Sequence, residues 1–319
     1  MKKMNLTIWM LLTLFSSCQK DGNVNESTNE IEIMYVMPEE SETHEGTWLQ
    51  WPHHYQYGMV YRNSLDATWV SMTKELVSSE NVHIIAYNQM EKNRIISLLN
   101  AQNIPLTNVD FKVYKTDDTW IRDNGPIYVR DRNGNLLIED WGFNGWGNKT
   151  DALTGLLIQS DNCNKIPSKI ASDQGRTKID LTSEMINEGG SVEIDGKGTL
   201  MACKSSILNS NRNQGMTQEQ AENIFKKYLG VTNFVWLDGQ AGIEITDQHI
   251  DGFARFGNSN TIVTMEQNDL LNYDVQQSDI DKLYAAKDKN GTSYTFLKVP
   301  LTQNNVTTTN GTNILVLET

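Results

Sequence analysis

Three segments of the sequence predict β-hairpins, and all three share one design. In each, two short apolar segments flank a four-residue turn rich in Gly and in Asn or Asp. Such a turn between apolar segments favours two antiparallel strands joined by a tight connection. The predicted hairpins cover residues 127–138, 191–202 and 252–265.

Predicted helices and single strands alternate with these hairpins. Two early segments have apolar residues at helical spacing, and Thr217 is a suitable N-cap for a later helix. The order hairpin, helix, strand predicts repeated α/β units rather than one doubly wound sheet, although no sequence repeat is evident. The predicted helices are 65–79, 90–102 and 217–229, and the predicted single strands are 82–86, 111–114 and 235–237.

The start of the chain has the pattern of an export signal. Two lysines, an apolar segment too short to span a bilayer and two serines predict a signal peptide over residues 1–17. Cys18 follows the serines at once, as at a bacterial lipoprotein processing site. This predicts an exported protein anchored to a membrane through a lipid on Cys18, and secretion with loss of Cys18 is the alternative. The polar segment 18–33 is interpreted as a flexible tether to a domain over 34–319.

The charge balance restricts the class of partner. The 319 residues include 40 Asp and Glu against 27 Lys and Arg, for a net charge of −13. This balance disfavours nucleic-acid binding, which needs a basic surface. It is compatible with a cationic substrate, although solubility alone also explains it. Three cysteines cannot build a disulfide framework.

An acidic segment with an aromatic residue follows the strand predicted at 111–114. Asp117, Asp118 and Asp123 surround Trp120. A carboxylate binds a planar guanidinium group through paired hydrogen bonds, and an indole face adds a cation–π attraction. The alternative is a turn held by salt bridges in which Arg122 pairs internally.

A second candidate cluster opens the third hairpin. His249 and Asp251 flank Ile250, so in a strand both polar side chains would lie on one face. A histidine beside a carboxylate is suited to general acid–base catalysis. The run Asp-x-His-x-Asp also resembles the metal-ligand run of manganese ureohydrolases. The further ligand motifs of those enzymes are absent from the sequence, so we predict no metal site.

The third cluster is a carboxylate before two glycines. Glu188 precedes Gly189 and Gly190, which permit a tight turn. Such a turn could deliver the carboxylate to His249 and hold the tautomer of its imidazole. A plain turn is the alternative.

Together, five segments resemble the agmatine deiminase and bacterial peptidylarginine deiminase family. This resemblance implies the pentein fold, a five-bladed α/β propeller, here incomplete at its C-terminal blade. It also implies hydrolysis of the guanidinium group of agmatine or peptidyl-arginine to a ureido group and ammonia, with no metal or organic cofactor. The segments are MPEESETHEGTWLQWP (37–52), DDTWIRDNGPIYV (117–129), EGGSVEIDGKGTL (188–200), ILNSNRN (207–213) and DQHIDGFARF (247–256).

The resemblance also implies a role for each candidate residue. Asp123 and Asp251 would bind the guanidinium nitrogens, and Trp120 would pack against the substrate. His249 would act as the general acid and base, and Glu188 would orient it. The expected partner is a small guanidinium compound or an arginine peptide.

The family nucleophile is a cysteine near the C-terminus that attacks the guanidinium carbon. No matching Ile-His-Cys stretch occurs here, and Cys163 and Cys203 lie in other contexts. The chain is interpreted either as a deiminase fragment truncated at its C-terminus or as a naturally short protein that binds guanidinium groups without catalysis. In both cases we expect the 319 residues alone to form no ureido product from agmatine. Turnover that disappears in Cys203→Ala would contradict this expectation.

Overall fold

The computed structural model describes residues 31–150 and 155–300, and the backbone of two short strands at 306–307 and 313–314. The predicted signal peptide and Cys18 lie outside the described residues, as do most of the tether and the last five residues of the chain. Within the part that is described, no helix combines the length and the apolar character that a membrane-spanning helix requires.

Strands and helices alternate along the described chain. The strands are β1 (Tyr35–Val36), β2 (Gly46–Gln50), β3 (Asn81–Ala86), β4 (Val109–Val113), β5 (Ile127–Asp131), β6 (Leu136–Gly142), β7 (Lys178–Ile186), β8 (Val192–Ile194), β9 (Thr199–Cys203), β10 (Asn233–Leu237), β11 (Ala254–Asn258), β12 (Thr261–Met265), β13 (Thr295–Val299), β14 (Val306–Thr307) and β15 (Asn313–Ile314). The helices are α1 (His54–Leu76), α2 (Gln89–Ala101), α3 (Ile121–Asn124), α4 (Gly145–Asn148), α5 (Ile166–Gln174), α6 (Lys204–Ile207), α7 (Gln218–Leu229), α8 (Gln267–Asn272) and α9 (Gln277–Tyr284).

One structural unit occurs three times in the part of the chain that the structure describes. In each unit an antiparallel hairpin is followed by helix and then by a third strand, which pairs parallel to the second strand of the hairpin. A parallel pair needs a crossover connection, and the helices supply it. The predicted order of hairpin, helix and strand is thereby confirmed. The three units are β5-β6-β7, β8-β9-β10 and β11-β12-β13, with α5, α7 and α9 in their respective crossovers.

The first sheet, β2-β3-β4, differs from these units because all of its strands are parallel. Its helices α1 and α2 are the crossovers between consecutive strands. The early strand β1 joins the next sheet instead, pairing antiparallel with β5. Separate apolar cores then form against the sheets, one of them around Val82, Ile84, Ile95 and Leu99.

The helix predicted from Thr217 has the expected start. The Thr217 hydroxyl accepts a hydrogen bond from the Gln220 amide, and the Gln220 side chain accepts one from the Thr217 amide. This reciprocal capping box satisfies two amide groups that a helix start would otherwise leave unpaired.

Residues 249–251 do not form the strand in which His249 and Asp251 would share one face. Ile250–Gly252 form a short 3-10 turn that precedes β11. Ile250 is nevertheless fully buried in an apolar core, while His249 and Asp251 line a cavity. Ile250 packs into the apolar core, and the polar side chains before and after it therefore face the cavity.

Candidate active site

Three short turns from distant parts of the chain meet at one place. The helix α3 carries Asp123, the 3-10 turn Gly189–Ser191 follows Glu188, and the turn Ile250–Gly252 follows His249. Each turn lies shortly before a strand, and the three strands belong to different sheets. The sheets thus hold in one place three segments that are far apart in the sequence.

His249 lies between two carboxylates. Its Nε2 is 2.7 Å from Oε2 of Glu188, and its Nδ1 is 3.5 Å from Oδ1 of Asp123. Glu188 is fully buried, and His249 and Asp123 are nearly so. The imidazole therefore has an anionic partner at each nitrogen, which is the arrangement that stabilises its doubly protonated form.

Gly190 allows these groups to come together. Its amide donates a hydrogen bond to Oδ1 of Asp123. A Cβ at this position would lie 2.5 Å from Nδ1 of His249 and 2.8 Å from Oδ2 of Asp251. Any larger residue would therefore displace the charged groups, so the glycine predicted as a turn former is required by close approach.

A cavity of about 640 Å³ opens beside these residues. Asp123, His249 and Asp251 line it, whereas Glu188 lies behind His249. Trp120 also lines it and is 58% exposed, which is unusual for so large an aromatic residue. The structure thus brings together all five residues singled out for the site, with two carboxylates, an imidazole and an indole facing one space.

The charges of the site are set by burial and by one another. Burial raises the pKa of Asp123 to about 6, helped by the negative charges of Asp251 and Glu188 and opposed by His249. Burial likewise raises the pKa of Asp251. Burial alone would lower the pKa of His249, but Asp123, Glu188 and Asp251 together raise it to about 9. At neutral pH the site therefore holds a protonated imidazole among carboxylates, and additional positive charge would stabilise it.

The other two aspartates of the acidic segment lie outside the site. Asp117 accepts hydrogen bonds from the backbone of Asn162 and Cys163, and Asp118 accepts one from the Tyr57 hydroxyl. Both carboxylates hold the loop in place. The salt-bridged turn considered as an alternative is not formed in this way, because Arg122 pairs with Glu40 at 2.5 Å.

Several residues outside the predicted set hold the carboxylates of the site through hydrogen bonds or affect their charge. Trp146 donates a hydrogen bond from its indole nitrogen to Oδ2 of Asp123 at 2.9 Å. Arg212 donates from Nε to Oε1 of Glu188 at 2.8 Å. Arg255 and Arg122 both pair with Glu40 and lower the pKa of Asp251 against the effect of burial. Arg212 lies within the segment 207–213 that resembles the family, and this was the signal that could have found it.

Neither described cysteine lines the cavity. Cys163 and Cys203 are fully buried. Burial raises the pKa of the Cys163 thiol to about 12 and that of the Cys203 thiol well above its ordinary value. A protonated, buried thiol is a poor nucleophile. In the described ranges, no set of three or more His, Cys, Asp or Glu side chains is arranged to hold a metal ion.

Comparison with known proteins assigns the family. A family model described as Porphyromonas-type peptidyl-arginine deiminase matches residues 36–316. The agmatine deiminase of Pseudomonas aeruginosa (strain LESB58) is 30% identical over 271 residues, which are 84% of this chain and 70% of that protein. The chain belongs to the Porphyromonas-type peptidyl-arginine deiminase family, and the resemblance stated from the sequence is confirmed.

Solved structures share the fold. The agmatine deiminase of Enterococcus faecalis matches with a TM-score of 0.74 at 23% identity, covering 87% of this chain and 75% of that one. A C. jejuni agmatine deiminase, a cysteine-to-serine variant with substrate bound, matches with a TM-score of 0.67 at 30% identity, covering 84% of this chain and 74% of that one. The α/β fold expected from the resemblance is confirmed.

Proposed function

We propose that this chain carries the guanidinium-binding and proton-transferring part of a deiminase, which converts a guanidinium group and water into a ureido group and ammonia. One observation carries the proposal. Asp123 and Asp251 line the same cavity as a histidine that is protonated at neutral pH. Family membership and the agmatine deiminases among its relatives support the same reaction.

The two carboxylates bind the planar cation. A guanidinium group donates paired hydrogen bonds to a carboxylate, and carboxylates on two sides leave its central carbon open to attack. Burial makes each charge-assisted bond stronger than it would be in water. The exposed indole of Trp120 adds a cation–π contact from the cavity wall.

His249 moves the protons. Glu188 occupies Nε2, so Nδ1 is the nitrogen that can serve the substrate. After a nucleophile has attacked the guanidinium carbon, the imidazolium donates a proton to the departing nitrogen, which leaves as ammonia. The neutral imidazole then accepts a proton from the water that completes the ureido group. The resemblance assigns the nucleophile to a cysteine, and neither Cys163 nor Cys203 occupies the required place at the cavity.

We propose a small guanidinium compound of the agmatine class as the substrate. Agmatine deiminases are among the curated relatives, and the C. jejuni agmatine deiminase holds substrate in a variant with one cysteine replaced by serine. That variant supports substrate binding by a chain that has no described cysteine at the cavity. The exposed carboxylates Glu244 and Asp274 also line the cavity and would attract the second cationic end of agmatine.

Isothermal titration at pH 7.5 with two ligands tests this proposal. Agmatine and N-carbamoylputrescine share the amine and the carbon chain and differ only in guanidinium against ureido. We expect agmatine to bind at least about tenfold more tightly, because the neutral ureido group makes no ion pair. Its affinity should fall as the pH drops below about 6, because protonation of Asp123 removes one charge that binds the cation. Equal affinity for both ligands, or tighter binding of benzoyl-arginine amide, would contradict the proposed substrate class.

We also propose that the chain is exported and lipid-anchored through Cys18. The support is the sequence of the first 18 residues alone. Labelled palmitate should enter the protein expressed in a bacterial host and should be lost in Cys18→Ala. A labelled Cys18→Ala variant would contradict the anchor.

A further inference from the structure

Arg212 is a buried charged residue that the proposed reaction does not use. We propose that Arg212 is a positioning residue, which holds the Glu188 carboxylate against His249 in the geometry that proton transfer needs. The inference rests on the proposed function only in giving the His249–Glu188 pair its chemical role. The contacts that carry it are independent of any substrate.

The first observation is the sharing of one carboxylate. Arg212 donates from Nε to both oxygens of Glu188, at 2.8 and 3.1 Å, and the second of these oxygens also bonds His249. The side chains of Arg212 and Glu188 are both fully buried. Among the bonds that the structure describes, the Glu188 carboxylate has no other partner. Without Arg212 this buried carboxylate could rotate about its terminal bond.

The second observation is the far end of the same guanidinium. Arg212 donates from Nη1 to Oδ2 of Asp247 at 2.5 Å and from Nη2 to the carbonyl of Thr246 at 3.0 Å. Asp247 and Gln248 have φ angles of 60° and 69°, the left-handed region that non-glycine residues rarely adopt. Two such residues in succession need outside support, and they lead directly into His249. One arginine therefore holds both the carboxylate and the segment that carries the imidazole.

The neighbours of Arg212 hold the same two segments. Asn211 donates to Oδ2 of Asp247 at 3.2 Å. The Asn213 side chain accepts a hydrogen bond from the amide of Ile186 at 2.9 Å and donates one to the carbonyl of Ile186 at 2.9 Å. Ile186 lies two residues before Glu188. Three consecutive side chains thus fix Glu188 and the approach to His249 from different directions. This accounts for the part of segment 207–213 that had no assigned role.

The charges along this path alternate in sign. His249, Glu188, Arg212, Asp247 and Lys149 form a row in which each cation contacts an anion, the last contact being 2.7 Å. Outside this row, Asp123 faces Nδ1 of His249, and Asp251 also acts on the charge of the imidazole. Arg212 does not line the cavity, so it acts on the site through Glu188. Removing one member of a buried row leaves its neighbours with uncompensated charge.

Imidazole NMR of the full chain labelled with ¹⁵N at histidine tests the proposal. His249 is assigned by the signals missing in His249→Gln, which leaves four other histidines. In the parent chain we expect a hydrogen-bonded Nε2–H proton and a titration of His249 near pH 9. In Arg212→Gln the Nε2–H signal should be lost, because no other described contact then holds the Glu188 carboxylate against His249. Arg212→Lys should restore most of the parent Nε2–H signal.

Asp247→Asn provides a second arm with the opposite expectation. It removes an anion from the row but leaves both bonds from Arg212 to Glu188, so the Nε2–H signal should remain while His249 titrates at lower pH than in the parent chain. An effect of the Arg212 charge alone would leave the Nε2–H signal in place in both variants. This arm also decides the matter if Arg212→Gln does not fold.

Arg62→Gln is the matched control. Arg62 is also buried and bonds a buried glutamate, Glu91, at 2.7 Å, but neither residue lines the cavity. Its replacement should leave the His249 signals unchanged. The proposal is overturned if folded Arg212→Gln keeps the parent Nε2–H signal, or if Asp247→Asn loses it. Agmatine binding is not measured here, so failure of the substrate proposal would be seen separately.

Discussion

Two histidines of this chain are almost equally buried but differ in charge preference. His53 is 2% exposed and His249 is 6% exposed. Burial lowers the pKa of His53, whereas the carboxylates around His249 raise its pKa to about 9. Nε2 of His53 donates to the carbonyl of Thr116, and within the described residues its Nδ1 has no hydrogen-bond partner.

The difference lies in the second nitrogen of each ring. Protonating Nδ1 of His53 would bury a donor without an acceptor, which costs free energy. Nδ1 of His249 faces Asp123, so protonation there satisfies a buried carboxylate. Tyr87 and Tyr55 pack around His53 instead. Burial thus does not decide the charge of a histidine, and the groups around it do.

The largest expected effect comes from removing the Asp123 carboxylate, which faces Nδ1 of His249 and has no described counterpart at Nδ1 of His53. In Asp123→Asn, agmatine affinity should fall about a thousandfold, because a buried charge-assisted contact is lost. The pKa of His249 should fall as well, which moves His249 toward the behaviour of His53. Titration calorimetry and imidazole NMR measure the two effects.

Asp118→Asn is the matched control for this variant. Asp118 is as buried as Asp123 and lies in the same segment, and burial also raises its pKa, but it bonds Tyr57 outside the cavity. Its replacement should leave agmatine affinity unchanged. An equal loss of affinity in both variants would mean that the loop, and not the carboxylate, binds the cation.

A smaller effect concerns stability at alkaline pH. Since the pKa of His249 is raised on folding, its stabilising contribution is fully present below about pH 6.5 and is lost as the pH rises through about 9. The loss in free energy of unfolding should be at most on the order of 3 kcal/mol. Urea titrations at pH 7 and pH 9.5 measure it.

His249→Gln should remove most of this pH dependence, and His53→Gln should not. The lowered pKa of His53 leaves it neutral in both folded and unfolded chains above pH 7.5, so it binds no proton that could be lost. The contrast between the two histidines would be contradicted if both substitutions reduced the change in free energy of unfolding between pH 7 and pH 9.5 equally.

The smallest expected effect concerns the cavity wall. In Trp120→Ala, agmatine affinity should fall about two- to fivefold, because an exposed cation–π contact contributes about 0.5–1 kcal/mol. Tyr61, which is 52% exposed and does not line the cavity, provides the control substitution to Ala. Titration calorimetry with agmatine on both variants shows whether Trp120 contributes to cation binding in addition to the carboxylates near His249.

Much of the local structure could be predicted from the sequence. The three hairpins and the capped helix α7 depend on turn and cap residues a few positions apart, and they form where the pattern indicates. The residues 249–251 were the exception. Their polar–apolar–polar alternation suits a strand, but the same pattern is satisfied by a turn that buries Ile250 and leaves the polar side chains in the cavity.

The partners of the site could not be predicted from local patterns. Trp146 reaches Asp123, and Arg212 reaches Glu188, only after separate sheets have packed together. Nothing in the residues next to Trp146 or Arg212 specifies these contacts. Only the resemblance of segment 207–213 to a family pointed to one of them.

The sequence by itself determined the residue types of the site, the family and the repeated hairpin, helix and strand. These depend on composition and on spacing within short segments. Only the tertiary structure decided that His249 is charged and His53 is neutral, and that Gly190 must lack a side chain. Electrostatic and steric energies depend on distances in space, and the carboxylate that bonds His249 lies 61 residues away in the chain.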